Sequence, residues 1–352
     1  MTTAEQAPDR MTTAEQAPPP PMRLRELVFG AACAAAVRAA ARLGVADALE
    51  ETPMSVEDLA AAVKTQPGTL RRLLRALSCQ GVFVERPDGS FAHTEMSRLL
   101  REDDPHSLRY IALWCTEPWT WNVWPRLDEA VRSGRNVFED VYEREFFEYL
   151  NEEAPESAYV FNRAMTTSSE QSARDVAALL DLGGVASVAD IGGGQGQVVA
   201  GLLEKHPGMH GTLLDLPGVV ANADARLRDG GSLADRVRIV PGDCREDIPV
   251  QADVYIIKNI LEWDDDSTRR ALANIRKAAL PGARVVVIEN LVDDTPSMKF
   301  TTSMDLLLLL NVGGAKHTRQ SMVDRLTAAG LVIGEVRPVN AYLHAFECTV
   351  PA

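Results

Sequence analysis

Two hydrophobic patterns divide this chain. Up to about residue 180 apolar positions recur mainly at helical spacing, and from about 181 short apolar runs alternate with helical stretches. In the first part Arg23–Gly44 reads as a long helix stopped by glycine, and MSVEDLAAAV starts a helix with Ser55 as N-cap and Asp58 at its third position. Leu70, Leu73, Leu74 and Leu77 share one face of the next helix, and VFVERPDGSFAHT then gives two short strands around a Pro87-Asp88-Gly89 turn. Helix, turn, helix and hairpin in this order describe a winged helix over residues 22–105. Residues 106–180 read as a helical segment that includes LWCTEPWTWNVWPRL. Beyond it, runs at 187–191, 211–216, 237–243, 252–259 and 283–290 read as strands of a parallel sheet covered on both faces. The expected fold is therefore a doubly wound, Rossmann-like α/β domain over 181–352, with its ligand site at the carboxyl ends of the strands. Its N-terminal partner is a mostly helical winged-helix domain.

Residues 1–21 do not fit either pattern. MTTAEQAP occurs at 1–8 and again at 11–18, and prolines fill 18–21, so this tail is expected to be disordered. Charge narrows the winged helix. Arg71, Arg72 and Arg75 on its second helix suit DNA, but the 352-residue chain carries a net charge of −14, which favours a solvated or subunit-facing surface and no nucleic-acid partner. Five widely spaced cysteines without a CxxC argue against a disulfide framework or a zinc cluster. His206 and His210 stand four apart, but Pro207-Gly208 between them precludes one helical face, so no metal is expected. No run is long and apolar enough for a membrane span, and the polar start does not resemble a signal peptide, so a cytoplasmic protein is expected.

The chemistry concentrates at the predicted strand ends. In VADIGGGQGQ a buried strand ends at Asp190-Ile191, and Gly192, Gly193, Gly194 and Gly196 turn the chain into a helix while letting a ligand approach. Asp215 in LLDLPGVV ends the next strand, followed by Leu216, and is placed to hold a ribose diol. PGDCRE puts Asp243 and Cys244 at the same sheet edge. Three acids at three successive strand ends suit a ligand with a cationic amino-acid end, a ribose and an adenine. A pyrophosphate would be repelled by Asp190. For Cys244 simple packing is an equal reading. Trp114, Trp119, Trp121 and Trp124 lie close together in the helical segment, either as core or as the wall of a pocket for a flat substrate.

These residues resemble the S-adenosylmethionine-dependent small-molecule O-methyltransferases, in particular the bacterial branch acting on aromatic natural products. The resemblance rests on nine motifs in order: FNRAM, VADIGGGQG, LLDLP, PGD, YIIKN, WDDD, MDLLLLL, GGAKHT and AAGL. It implies S-adenosylmethionine as cofactor, a homodimer through the N-terminal domain, and a small-molecule substrate. It places Gly192, Gly194 and Gly196 along the methionine part, Asp215 on the ribose, Asp243 and Cys244 beside the adenine, and Lys258 at the cofactor site. Phe161, Asn162 and Met165 would border the sulfonium and the substrate, with Trp114, Trp119, Asn259, Trp263, Asp305 and Leu309 as further pocket residues.

The resemblance breaks where the proton-abstracting histidine belongs. KNILEWDDD, residues 258–266, holds no histidine and is one residue short. Aligned from the lysine, Glu262 takes the histidine's place; aligned from the tryptophan, Leu261 does. Lys316 stands in the column of the usual supporting glutamate, with His317 next to it. Glu262 acts as base if burial raises its pKa; otherwise it helps start the following helix. His317 is a second candidate. A positioned base typically contributes roughly 10²–10⁴-fold, whereas an already acidic substrate needs less help. The expectation is therefore methyl transfer to a small aromatic or polyketide-type intermediate, with oxygen as the leading acceptor. Carbon or nitrogen transfer, a repurposed non-methylating site (decarboxylase, hydroxylase or cyclase) and a ligand-sensing winged-helix regulator are the alternatives.

Overall fold

The computed structural model describes residues 18–293, 296 and 298–352. The expected disordered tail lies outside the described residues up to Ala17. Its last two prolines belong instead to a helix, Pro20–Val28, because proline at the first helical positions has no N–H to leave unpaired. The expected single helix over Arg23–Gly44 is broken at Phe29, and a second helix runs Gly30–Leu43 to a left-handed Gly44 cap. Two compact units follow one another, meeting in sequence between Thr94 and Glu95.

In the first unit Ser55 accepts a hydrogen bond from the Asp58 amide and caps Val56–Ala62. Pro67–Cys79 buries Leu70, Leu74 and Leu77. Strands β1 (Phe83–Glu85) and β2 (Phe91–His93) pair antiparallel as the wing. Two of the arginines that suggested DNA are tied to that wing. Arg75 makes a two-pronged pair with Glu85 at 2.8 and 2.7 Å, and Arg71 donates to the Gly89 carbonyl at 3.3 Å.

The second unit is built on strands β3 (Ser187–Ile191), β4 (His210–Asp215), β5 (Val237–Pro241), β6 (Val254–Lys258), β7 (Arg284–Asn290), β8 (Val332–Pro338) and β9 (Leu343–Thr349). They lie in the order β5-β4-β3-β6-β7-β9-β8. The expectation of a parallel sheet holds for β3 to β7, but β9 runs antiparallel to both β7 and β8. β8 is an edge strand with exposed and half-exposed side chains, so its sequence lacks the apolar run that marks the inner strands.

Alternate residues of each inner strand feed two cores. Ala189, Ile191, Tyr255, Ile257, Val285 and Val287 pack with the Asp265–Ala278 and Arg319–Ala328 helices. Val188, Leu213, Val254, Ile256 and Val286 pack with the Gln197–Lys205 helix and with Val176 and Ala177 of Pro155–Leu179. The long helix thereby belongs to the sheet's own core. The compact unit that contains it runs from Glu95 to Ala352.

Candidate active site

The carboxyl ends of β3, β4, β5 and β6 open into one cavity, closed on the far side by the Phe146–Glu152 and Pro155–Leu179 helices. Its floor is the glycine turn after β3. A Cβ on Gly193 would sit 2.5 Å from Asp190 Cγ and 2.7 Å from a Leu213 methyl, so only hydrogen fits there. Asp190 accepts from the Val199 amide at 3.2 Å and so caps the following helix while also lining the cavity. Asp215 accepts from the amides of Gly194 and Leu216, both at 2.7 Å. Asp243 accepts a forked pair from Arg245 at 3.0 and 2.8 Å. Lys258 reaches across from β6 to Ser169 Oγ at 3.3 Å, tying the sheet to the long helix.

The three acids have different electrostatics. Burial pushes Asp190 up to about 7, against the opposing pull of the Lys258 charge and the Val199 N–H. Burial likewise pushes Asp215 up to about 6, against its two amide donors. Burial also acts on Asp243, but the Arg245 guanidinium outweighs it and holds that carboxyl below its usual value. Lys258 is lowered by burial despite Asp190, Glu289 and Glu262 nearby. A site with two strained acids at one end gains by receiving a cation. A glycine floor beside them admits it. The wall therefore fits the ammonium, ribose and adenine of S-adenosylmethionine, and Cys244, buried and with its thiol pushed up to about 12, stays neutral there.

Much of the remaining lining is aromatic and apolar. Phe147, Phe161, Met165, Ile260 and Trp263 belong to it, with Asn162 and Asn259 as polar members. Phe147 meets Phe161 and Trp263 edge to face at 6.3 and 6.5 Å between centroids. Arg245 lies 5.4 Å over the Trp263 ring and closes this corner.

Of the sequence candidates, Asp190, Gly192, Gly194, Asp215, Leu216, Asp243, Cys244, Lys258, Phe161, Asn162, Met165, Asn259 and Trp263 meet on this wall. Seven others lie off it. Gly196 is the buried N-cap of Gln197–Lys205, where a Cβ would strike Leu227. Trp114 and Trp119 take the core reading: Trp119 packs edge to face on Phe138 and Phe146, and Trp114 on Phe161 from behind. Leu309 packs into the same cluster, and Asp305 accepts from the Lys316 amide at 2.6 Å. Glu262 neither faces the cavity nor starts the next helix. Asp264 is that helix's N-cap, and Glu262 is 8% exposed and ion-paired with Lys316. His317 is buried with its Nε2 donating to the Leu261 carbonyl at 2.7 Å, and burial lowers its pKa, so it stays neutral and occupied.

Residues 124–332 match the O-methyltransferase domain. The chain belongs to the O-methyltransferase family. Residues 25–103 match that family's dimerisation domain. The mitomycin biosynthesis 6-O-methyltransferase of Streptomyces lavendulae is 40% identical over 96% of this chain and 97% of its own. The 8-amino-8-demethylriboflavin N,N-dimethyltransferase of Streptomyces davaonensis is 33% identical over 88% of this chain and 90% of its own. Among solved structures, a mitomycin 7-O-methyltransferase superposes with a TM-score of 0.85 at 38% identity, covering 94% and 97% of the two chains. The protein is an S-adenosylmethionine-dependent methyltransferase. Sequence reasoning missed Phe147 and Arg245, which line the cavity, and Glu289, which holds the Leu261 amide behind it. The signals were present: an arginine directly after Asp243-Cys244, and one acid inside the apolar run of β7.

Proposed function

We propose that this methyltransferase acts on an oxygen of a flat aromatic natural-product intermediate that supplies its own acidity. One observation carries this: among the described residues no imidazole lines the cavity, and Glu262 is committed to Lys316 behind the wall. When bound, S-adenosylmethionine supplies the electrophilic methyl. The chain contributes binding and orientation, which alone are worth about 7–11 kcal/mol in favourable cases. Gly192 and Gly194 would admit the methionine part, Asp215 would hold the ribose, and Asp243 with Cys244 would border the adenine. The Phe147–Phe161–Trp263 corner would hold the acceptor ring and exclude water. A phenol beside a carbonyl, or an enol, reaches the methyl as its anion without a side-chain base.

An aromatic amine is the second reading. Its lone pair attacks unaided, and one relative is named for transfer to nitrogen. The dimerisation domain supports a homodimer, and the net charge of −14 speaks against nucleic acid as a partner.

The test is a series of hydroxylated aromatic acids, quinones and anilines whose acidities differ, with S-adenosylhomocysteine measured by mass spectrometry. The acid limb of kcat/KM is expected to move with the acceptor's own pKa. A limb that stays at one pH for every acceptor would mean a protein base and sink the proposal.

A further inference from the structure

The turn between β6 and the Asp265–Ala278 helix supplies three cavity-wall residues, Asn259, Ile260 and Trp263, while Leu261 and Glu262 point behind the wall. Asn259 starts it in a left-handed conformation, φ 55°, that asparagine tolerates better than most residues. Nearly everything holding the turn comes from behind. Glu289 on β7 accepts from the Leu261 amide at 3.1 Å. His317 donates to the Leu261 carbonyl. The Ala315 amide donates to the Glu262 carbonyl at 3.2 Å, and Gly314 passes so close that a Cβ there would run into that oxygen. Lys316, whose side chain is 8% exposed, pairs with the Glu262 carboxylate.

We propose that Glu262 and Lys316 are positioning residues: their buried ion pair clips the 259–263 turn to the 314–317 loop and thereby sets where Ile260 and Trp263 stand against the acceptor. A buried pair of this kind adds little net stability over apolar neighbours of the same volume, because both ions lose their water. What it does define is geometry, since the Glu262 carboxylate meets both Lys316 and the buried Glu289 carboxyl and so ties the turn to the loop and to β7. Glu262, a candidate base in the sequence, is thus used together with Lys316 to hold the wall. This rests on the functional reading above only for the acceptor used in the assay.

The experiment compares Glu262→Gln, Lys316→Met and the charge swap Glu262→Lys with Lys316→Glu. Each single variant is expected to raise acceptor KM about tenfold or more through a misplaced wall, with cofactor affinity within roughly twofold and the pH limb kept. The swap is expected to bring KM back to within roughly threefold of wild type. An acceptor-free readout runs beside it. In protein labelled with 5-fluorotryptophan, the Trp263 resonance, assigned by its loss in Trp263→Phe, is expected to shift in both single variants and return in the swap. A failed acceptor choice leaves this spectrum intact, which separates failure of the functional reading from failure of the clip. Should Lys316→Met not fold, the isosteric Glu262→Gln carries the same comparison. Unmoved KM and fluorine signal in Glu262→Gln would overturn the proposal. So would a kcat loss of about a hundredfold with unchanged KM and a vanished pH limb, which would make Glu262 the base.

Discussion

Binding of the cofactor or of S-adenosylhomocysteine should expel a proton near pH 6.5. Burial holds Asp190 at about 7 and Asp215 at about 6 in the protein by itself. At pH 6.5 these values leave Asp190 protonated in about three-quarters of molecules and Asp215 in about one-quarter, roughly one proton in all. A ligand ammonium and ribose hydroxyls favour the ionised carboxylates, so the bound state keeps few of these protons. Affinity then rises with pH, by about sixtyfold or about 2.4 kcal/mol between pH 5.5 and pH 7, if both acids end fully ionised. Titration calorimetry of S-adenosylhomocysteine in buffers of different ionisation enthalpy measures the released protons directly. Below pH 7 the ligand's own amino group stays mostly charged in both states, so the count belongs mainly to the protein. Asp190→Asn should reduce the release at pH 6.5 to about a quarter of a proton. A buffer-independent enthalpy at pH 6.5 together with a flat affinity would refute the reasoning. It would mean that the two acids are already ionised or that the ligand does not meet them.

Three other outcomes follow from the same geometry. Trp119 is 2% exposed and packs on Phe138 and Phe146 off the cavity wall, so Trp119→Ala should cost about 3–5 kcal/mol in urea unfolding, while cofactor affinity measured on the folded fraction stays near wild type. His317→Gln should lower kcat by less than about tenfold and keep the pH profile, whereas loss of a true base would cost roughly 10²–10⁴-fold. Relative to Asp190→Asn, the ligand-free chain should lose stability as pH rises from about 4 to about 7, because the folded state keeps the Asp190 proton that the unfolded state releases. Urea midpoints of both at pH 5 and pH 7.5 check the direction, and saturating S-adenosylhomocysteine should reduce the difference.

What the sequence by itself determined is the part of the protein encoded by short-range pattern. The apolar runs set β3 to β7, the glycine turn set the floor, and one acid at each of three strand ends set the polarity of the cavity. These are local consequences of pleat, turn and strand direction, so a single chain read in order reveals them. The Ser55 cap and the Pro87-Asp88-Gly89 turn were legible for the same reason. β8 and β9 were not: β8 is an edge strand that pairs on one side only and need not be apolar, and the inner strand β9 has its apolar run interrupted by His344 and Glu347.

Only the tertiary structure decided where the candidate base Glu262 stands. Leu261, Glu262 and Trp263 are neighbours in sequence, yet Trp263 faces the cavity while the other two face the core. Which way each points depends on partners at Glu289, Lys316 and His317, far away along the chain. The helical tryptophans were undecidable in the same way. A buried indole packs equally well in a core or around a ligand, and only the position of the Phe146–Glu152 helix puts Phe147 on the wall and Trp119 behind it. Direction and burial are properties of the assembled neighbours, and no spacing of letters carries them.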